Sequence, residues 1–278
     1  MRMAAVVDQI LFSKQEKRFR EIEDIARFVS STCSGNLMIR DSVFSVVKNY
    51  ARKKDISIEI MRYPFHDDEL WAFTFLKEGI IFICVNSDLS VCKQIFATAH
   101  ELYHIYCFGE DADQNMIRSG SILKEDTVDS GTEEQEELEA NAFASLLLMP
   151  AESVRNQMDM MGITPQHITL DDILTMMDIY AMPYKACVLR LYECNVISAA
   201  KAKQFYDKDW KEIQSRISLT GKAKRWQLDG SGTEQFGSLL ESFAYNTEQG
   251  FLTASRQKGD KEFISSLKEK YNLDVEDV

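Results

Sequence analysis

Three residues in one short stretch are spaced for metal chemistry. The segment Ala97 to Tyr106 reads A-T-A-H-E-L-Y-H-I-Y, and within it His100, Glu101 and His104 form an H-E-x-x-H pattern. Two imidazoles four residues apart on a 3.6-residue helix project from nearly the same side, so both can bind one Zn²⁺ through ring nitrogens. The glutamate between them lies beside the metal. There a carboxylate can take a proton from the attacking water and return it to a leaving amine, the general-base role in metal-assisted peptide hydrolysis. The competing reading is a pair of packed or surface histidines, although two of the chain's four histidines stand in this one motif.

A catalytic zinc takes three protein ligands and leaves one position open, so a third ligand is needed. Glu133 to Pro150 reads E-E-Q-E-E-L-E-A-N-A-F-A-S-L-L-L-M-P, a helix pattern stopped by proline. On a helix Glu137, Asn141, Ala144 and Leu148 share a face, whereas Glu139 points almost to the opposite side. Glu137 is therefore the third ligand expected. Ala140 and Ala144 are small enough for this helix to approach the first one closely. Asn141 then falls where its side-chain oxygen can accept the second ring N–H of a metal-bound histidine and fix its tautomer. Glu133, Glu134, Glu136 and Glu139 read as an acid-rich first turn complementing the helix dipole.

These residues resemble the ImmA/IrrE family of metallopeptidases. The resemblance lies in V-N-S-D-L-S at Val85 to Ser90, A-T-A-H-E-L-Y-H from Ala97, and E-L-E-A-N-A-F-A-S-L-L-L-M-P from Glu137, in the family's usual order. It implies a thermolysin-like site with one zinc ion per chain, in which the glutamate four residues before the Asn of the last motif, here Glu137, is the third ligand. It also implies a zinc endopeptidase whose substrate is a protein, a helix-turn-helix transcriptional repressor or antitoxin-like regulator, in a stress-response, mobile-element or toxin–antitoxin setting. The resemblance is good from about Trp71 to Pro150 and extends to about Phe205. Residues 1–60 and 211–278 carry no matching motif, and the stretch between His104 and Glu137 is longer than is common in such proteins.

The elements that must hold this site read as an α+β, mainly helical, zincin-like fold with a small sheet. Asp88 and Ser90 offer N-cap oxygens to the motif helix, whose Cys92, Ile95, Ala99, Leu102 and Tyr106 make an apolar stripe away from the histidines, so that one face packs and the other does chemistry. Lys14 to Ser30 and Asp41 to Lys53 have helical periodicity, and Ile56 to Met61 alternates like a strand. Trp71 to Leu76 and Ile80 to Val85 form a hairpin around K-E-G. An edge strand beside the zinc helix would pair with an extended substrate, though the sequence does not say which strand is the edge. The boundaries expected are an N-terminal helical segment over 1–55, the metallopeptidase core over 56–160, a helical extension over 161–210 and an accessory tail over 211–278.

Within the extension, Leu170 to Tyr180 and Tyr184 to Glu193 have the outline of a helix-turn-helix, but Asp171, Asp172, Asp178 and Glu193 offset Lys185 and Arg190. A DNA reader needs a basic surface, so packing against the core is expected and direct nucleic-acid binding is not. His167, Tyr180, Tyr184 and Arg190 are the candidates for stabilising an oxyanion above the metal.

The chain has 278 residues and a net charge of −12. The segment from Gly109, extended through Glu137, carries ten acids against Arg118 and Lys124, which is eight of those charges. It reads as loop, either a solvated one or an acidic flap that favours a basic peptide or protein partner. The six cysteines lack a C-x-x-C pair and read as reduced core residues, with Cys107 a distant second choice as ligand. The longest apolar run, Ile80 to Val85, is too short to span a bilayer, and the first residues lack a secretory apolar region, so no membrane partner and a cytoplasmic location are expected. Two other functions remain open: a non-proteolytic regulator that sequesters a repressor or antitoxin, and a zinc hydrolase acting on a small amide. The oligomeric state is not written in the sequence.

Overall fold

A computed structural model describes residues 6–36, 38–110, 121–124 and 135–270 of the chain. Short α1 (Leu11–Lys14) leads into α2 (Glu16–Cys33), which buries Phe19, Ile22, Ala26, Val29 and Cys33 along one stripe. Helix α3 (Val43–Lys54) ends with Arg52, Lys53 and Lys54 against the negative pole of its dipole, and Asp55 in the left-handed region turns the chain into the sheet.

Strands β1 (Ser57–Tyr63), β2 (Leu70–Lys77) and β3 (Ile80–Asn86) are rich in Ile, Phe and Val, which favour a pleated, half-buried surface. β2 and β3 form the expected antiparallel hairpin, with Lys77 opposite Ile80 and both turn residues, Glu78 and Gly79, at positive φ. That is the two-residue turn whose twist matches the strands it joins. β1 runs parallel to β3 on its other side.

Helix α4 (Val91–Glu110) carries the histidine motif and lies against β2 and β3, where Trp71 meets Phe96 edge-on at 6.4 Å between ring centroids. Strand β4 (Ser121–Lys124) then pairs antiparallel with β2 at one edge of the sheet. Part of the segment read as loop is therefore helix and strand, while 111–120 and 125–134 lie outside the described residues. Helix α5 (Gln135–Leu148) packs between α4 and α2. Cutting Phe143 of α5, which is fully buried, to alanine would cost about 3–5 kcal/mol.

Helix α6 (Ala151–Met161) stops at Gly162, whose positive φ allows the N–H groups of Gly162 and Ile163 to close on Asp159 and Met158. Helix α7 (Leu170–Tyr180) opens with a reciprocal Thr169–Asp172 capping box. Helices α8 (Tyr184–Glu193), α9 (Ala199–Tyr206), α10 (Trp210–Thr220) and α11 (Lys224–Gln227) follow. Strand β5 (Gln235–Phe236) pairs antiparallel with β1, giving the order β4-β2-β3-β1-β5, and α12 (Leu239–Glu248) and α13 (Ala254–Lys270) end the described chain. The architecture is α+β and mainly helical around one small mixed sheet. No described helix is long and apolar enough to cross a membrane.

Candidate metal centre

The motif helix is buried on every side. His100 and Glu101 are 0% exposed and His104 6%, as enclosed as the apolar stripe of Ile95, Ala99 and Leu102. One face packs on the sheet and the other meets α5 and the candidate ligands, as expected, but the face that carries the histidines is as buried as the apolar one. Asp88 is not the N-cap expected, since its Oδ2 accepts the His66 backbone N–H at 2.9 Å and lies 3.2 Å from that ring's Nδ1. The Ser90 hydroxyl sits 3.3 Å from Cys92 Sγ.

Ala140 and Ala144, both fully buried, let α5 approach α4 closely. The first turn of α5 then delivers Glu137 to the two imidazoles. His100 Nε2 is 3.1 Å from His104 Nε2 and 3.2 Å from Glu137 Oε2, and His104 Nε2 is 3.5 Å from Glu137 Oε1. Two zinc ligands at about 2.05 Å in a tetrahedron are about 3.3 Å apart. The three observed separations bracket that value.

The outer ring nitrogens explain why the inner ones face one another. His100 Nδ1 lies 3.0 Å from Asn141 Oδ1, and His104 Nδ1 lies 2.7 Å from Glu136 Oε1. Both partners are acceptors, so each Nδ1 carries the proton and each Nε2 presents a lone pair. Two lone pairs and a carboxylate thus converge with no proton between them, and the buried Glu137 Oε2 has no hydrogen bond. Such a cluster calls for a cation.

Electrostatics point the same way. Burial pushes the Glu137 carboxyl up, but the neighbouring His100 and His104 outweigh it and the net shift is down. Burial lowers the His104 imidazole, but the Glu136 hydrogen bond and the charges of Glu101, Glu137 and Glu136 outweigh it, for a net upward shift. The carboxylates gathered here favour positive charge between them. Among the described residues His100, His104 and Glu137 are the group that could hold a metal ion.

Asn141 stands where the helical projection put it. Glu136 and Glu139 do more than complement the helix dipole: Glu136 holds His104, and Glu139, 8% exposed, faces Arg18 and Tyr103. Glu133 and Glu134 lie outside the described residues. Cys107 is outside the ligand group, with its thiol pushed up to about 11 chiefly by burial. The oxyanion candidates are engaged elsewhere. The Tyr180 hydroxyl meets Ser153, Tyr184 donates to the Phe205 carbonyl, and Arg190 donates to the Met149 carbonyl and pairs with Glu193. His167 is exposed on the surface.

Residues 53–178 match the M78 peptidase family, described as the IrrE N-terminal-like domain. That span contains the whole ligand group together with Glu101, Glu136 and Asn141, and it bears out the resemblance to ImmA/IrrE metallopeptidases. A comparison with curated proteins gives no significant match.

Proposed function

We propose, from the ImmA/IrrE-type metallopeptidase domain that residues 53–178 form, that this protein is a zinc-dependent endopeptidase acting on a basic protein regulator. The observation that carries the reading is the convergence of three proton-free donors from His100, His104 and Glu137 beside a buried Glu101. A zinc ion held there would polarise the scissile carbonyl and make water a stronger acid. Glu101 takes the proton of the attacking water and hands it to the departing amine. Asn141 and Glu136 keep both imidazoles in the tautomer that presents Nε2.

The substrate class, a helix-turn-helix repressor or antitoxin-like regulator, is supported by the family resemblance and by charge. A chain of net −12 attracts partners with the basic surface that DNA contact requires. A second reading, sequestration of such a regulator without cleavage, is favoured by the burial of His100 and Glu101, which leaves little room for a scissile bond.

The first test is metal content by elemental mass spectrometry after dialysis, for the wild type beside His104→Ala and Glu137→Ala. About one zinc per wild-type chain, lost or strongly weakened in both variants, is the result expected of a three-ligand site. A wild type that stays metal-free after zinc reconstitution would sink the peptidase reading.

A further inference from the structure

Arg18, in the first turn of α2, lies 35 residues before the matched span, yet its guanidinium reaches both helices of the metal centre. Its Nε donates to Glu139 Oε1 at 2.9 Å and its Nη2 to Glu139 Oε2 at 2.7 Å, a two-point grip on one carboxylate. The same Nη2 lies 3.3 Å from the Tyr103 hydroxyl, which donates to Glu139 Oε2 at 2.5 Å. Gln135 Nε2 donates to Glu139 Oε1 at 2.6 Å. Both carboxylate oxygens are thereby satisfied, in a side chain that burial alone would push towards neutrality.

The position of this network matters more than its strength. Tyr103 immediately precedes His104 on α4, and Glu139 is two residues after Glu137 on α5. Glu139 leaves α5 nearly opposite Glu137, so its clamp does not touch the metal group but fixes how α5 is rotated against α4. A side chain reaching about 6 Å from a helix axis moves by about 1 Å when the helix turns by 10°. Metal sites tolerate about half of that.

We propose that Arg18 is a positioning residue for the metal centre: through Glu139 and Tyr103 it locks the register between α5 and α4 and so sets where Glu137 stands relative to His100 and His104. The N-terminal helix is then part of the site, and the matched span does not complete it alone. The proposal rests on the reading that these three residues bind zinc.

The test is zinc affinity of the full chain, by competition with a chromophoric chelator, for the wild type, Arg18→Met and Arg18→Lys, each at a temperature where circular dichroism shows the apoprotein folded. Removing a group that hydrogen-bonds a metal ligand weakens metal binding about 10–100-fold, and the clamp, which sets where a ligand stands, is measured on the same scale. Arg18→Met should fall in that range, and Arg18→Lys should fall less far, since an ammonium keeps the charge and loses the two-point geometry. A role confined to stability would lower the apoprotein's melting temperature and leave the affinity of the folded protein unchanged. Affinities of both variants within about threefold of wild type, well short of the range expected, would overturn the proposal. Should Arg18→Met fail to fold, Arg18→Lys alone decides it by the same criterion. A wild type that binds no zinc would instead remove the metal reading itself, and this proposal with it.

Discussion

Glu101 and Glu137 are carboxylates beside the same imidazoles, yet their places on the backbone give them different work. Glu137 comes from a second helix and meets both Nε2 atoms, while Glu101 follows His100 on α4 and stands outside the group of converging donors. Glu101→Gln should therefore keep its zinc, since glutamine has the same shape and no ligand is removed. It should lose peptide hydrolysis by about 10²–10⁴-fold, the usual worth of a general base. Retained metal with retained cleavage would remove Glu101 from the mechanism; relief of repression by an inactive, zinc-loaded variant would favour sequestration. The meeting of His100, His104, Glu137 and Asn141 was legible because four-residue spacing puts each pair on one face of its helix, and the family resemblance picked the same glutamate. Glu136 and Glu139 were not, because an acid in a helix's first turn is equally explained by the dipole. What distinguishes them is a partner far away in the chain, Arg18 for Glu139 and His104 for Glu136.

At the scale of elements, the hairpin was legible because two apolar runs flank the short K-E-G break, and the structure closes it with Glu78 and Gly79 at positive φ. β4 was not: four residues within an acid-rich, glycine-broken stretch show no periodicity, and only the edge of β2 makes them a strand. The burial of α4 on both sides was hidden for a similar reason, since polar His100, Glu101 and Gln94 are tolerated inside only because other elements bring partners to them. Between α7 and α10 the joint is ionic. Arg216 grips Asp171 at 2.7 and 2.5 Å, and this contact, ahead of slight burial that works against it, holds the Asp171 carboxyl below its usual range. An acid depressed in the folded state stabilises that state above the ordinary carboxylate pKa and ceases to do so as pH falls through the folded value. Arg216→Met should thus melt below the wild type near neutrality, and the gap should close as pH falls below the ordinary carboxylate range of about 4. A gap that persisted unchanged in acid would show that the loss was one of packing.

Over the whole molecule, the region read as an accessory tail divides by how it packs. From α11 to Ser238 it is tied to the core on the side from which α4 starts. Ser231 N–H donates to the Ser87 carbonyl at 3.0 Å, and the Ser231 hydroxyl lies 3.2 Å from Gln94 Oε1. β5 extends the sheet along β1, and Glu59 accepts both the N–H and the hydroxyl of Ser238 at 2.9 and 2.6 Å. Gly230 passes so close to the Asp88 carbonyl that any Cβ there would collide with it. The helices beyond are different: α12 and α13, with the turn between them, leave Tyr245, Phe251 and Phe263 more than half exposed. A chain shortened to residue 238 should therefore keep the melting temperature and zinc affinity of the full chain. One shortened to residue 222 loses the buried Trp226 and Phe236 and should be less stable by at least the 3–5 kcal/mol or so that truncating one large core aromatic costs. Thermal melting of both truncations reads this directly. Equal stability of the two would mean that the stretch over 223–238 lies on the core without holding it, whereas the loss expected would place it among the supports of the metal helix.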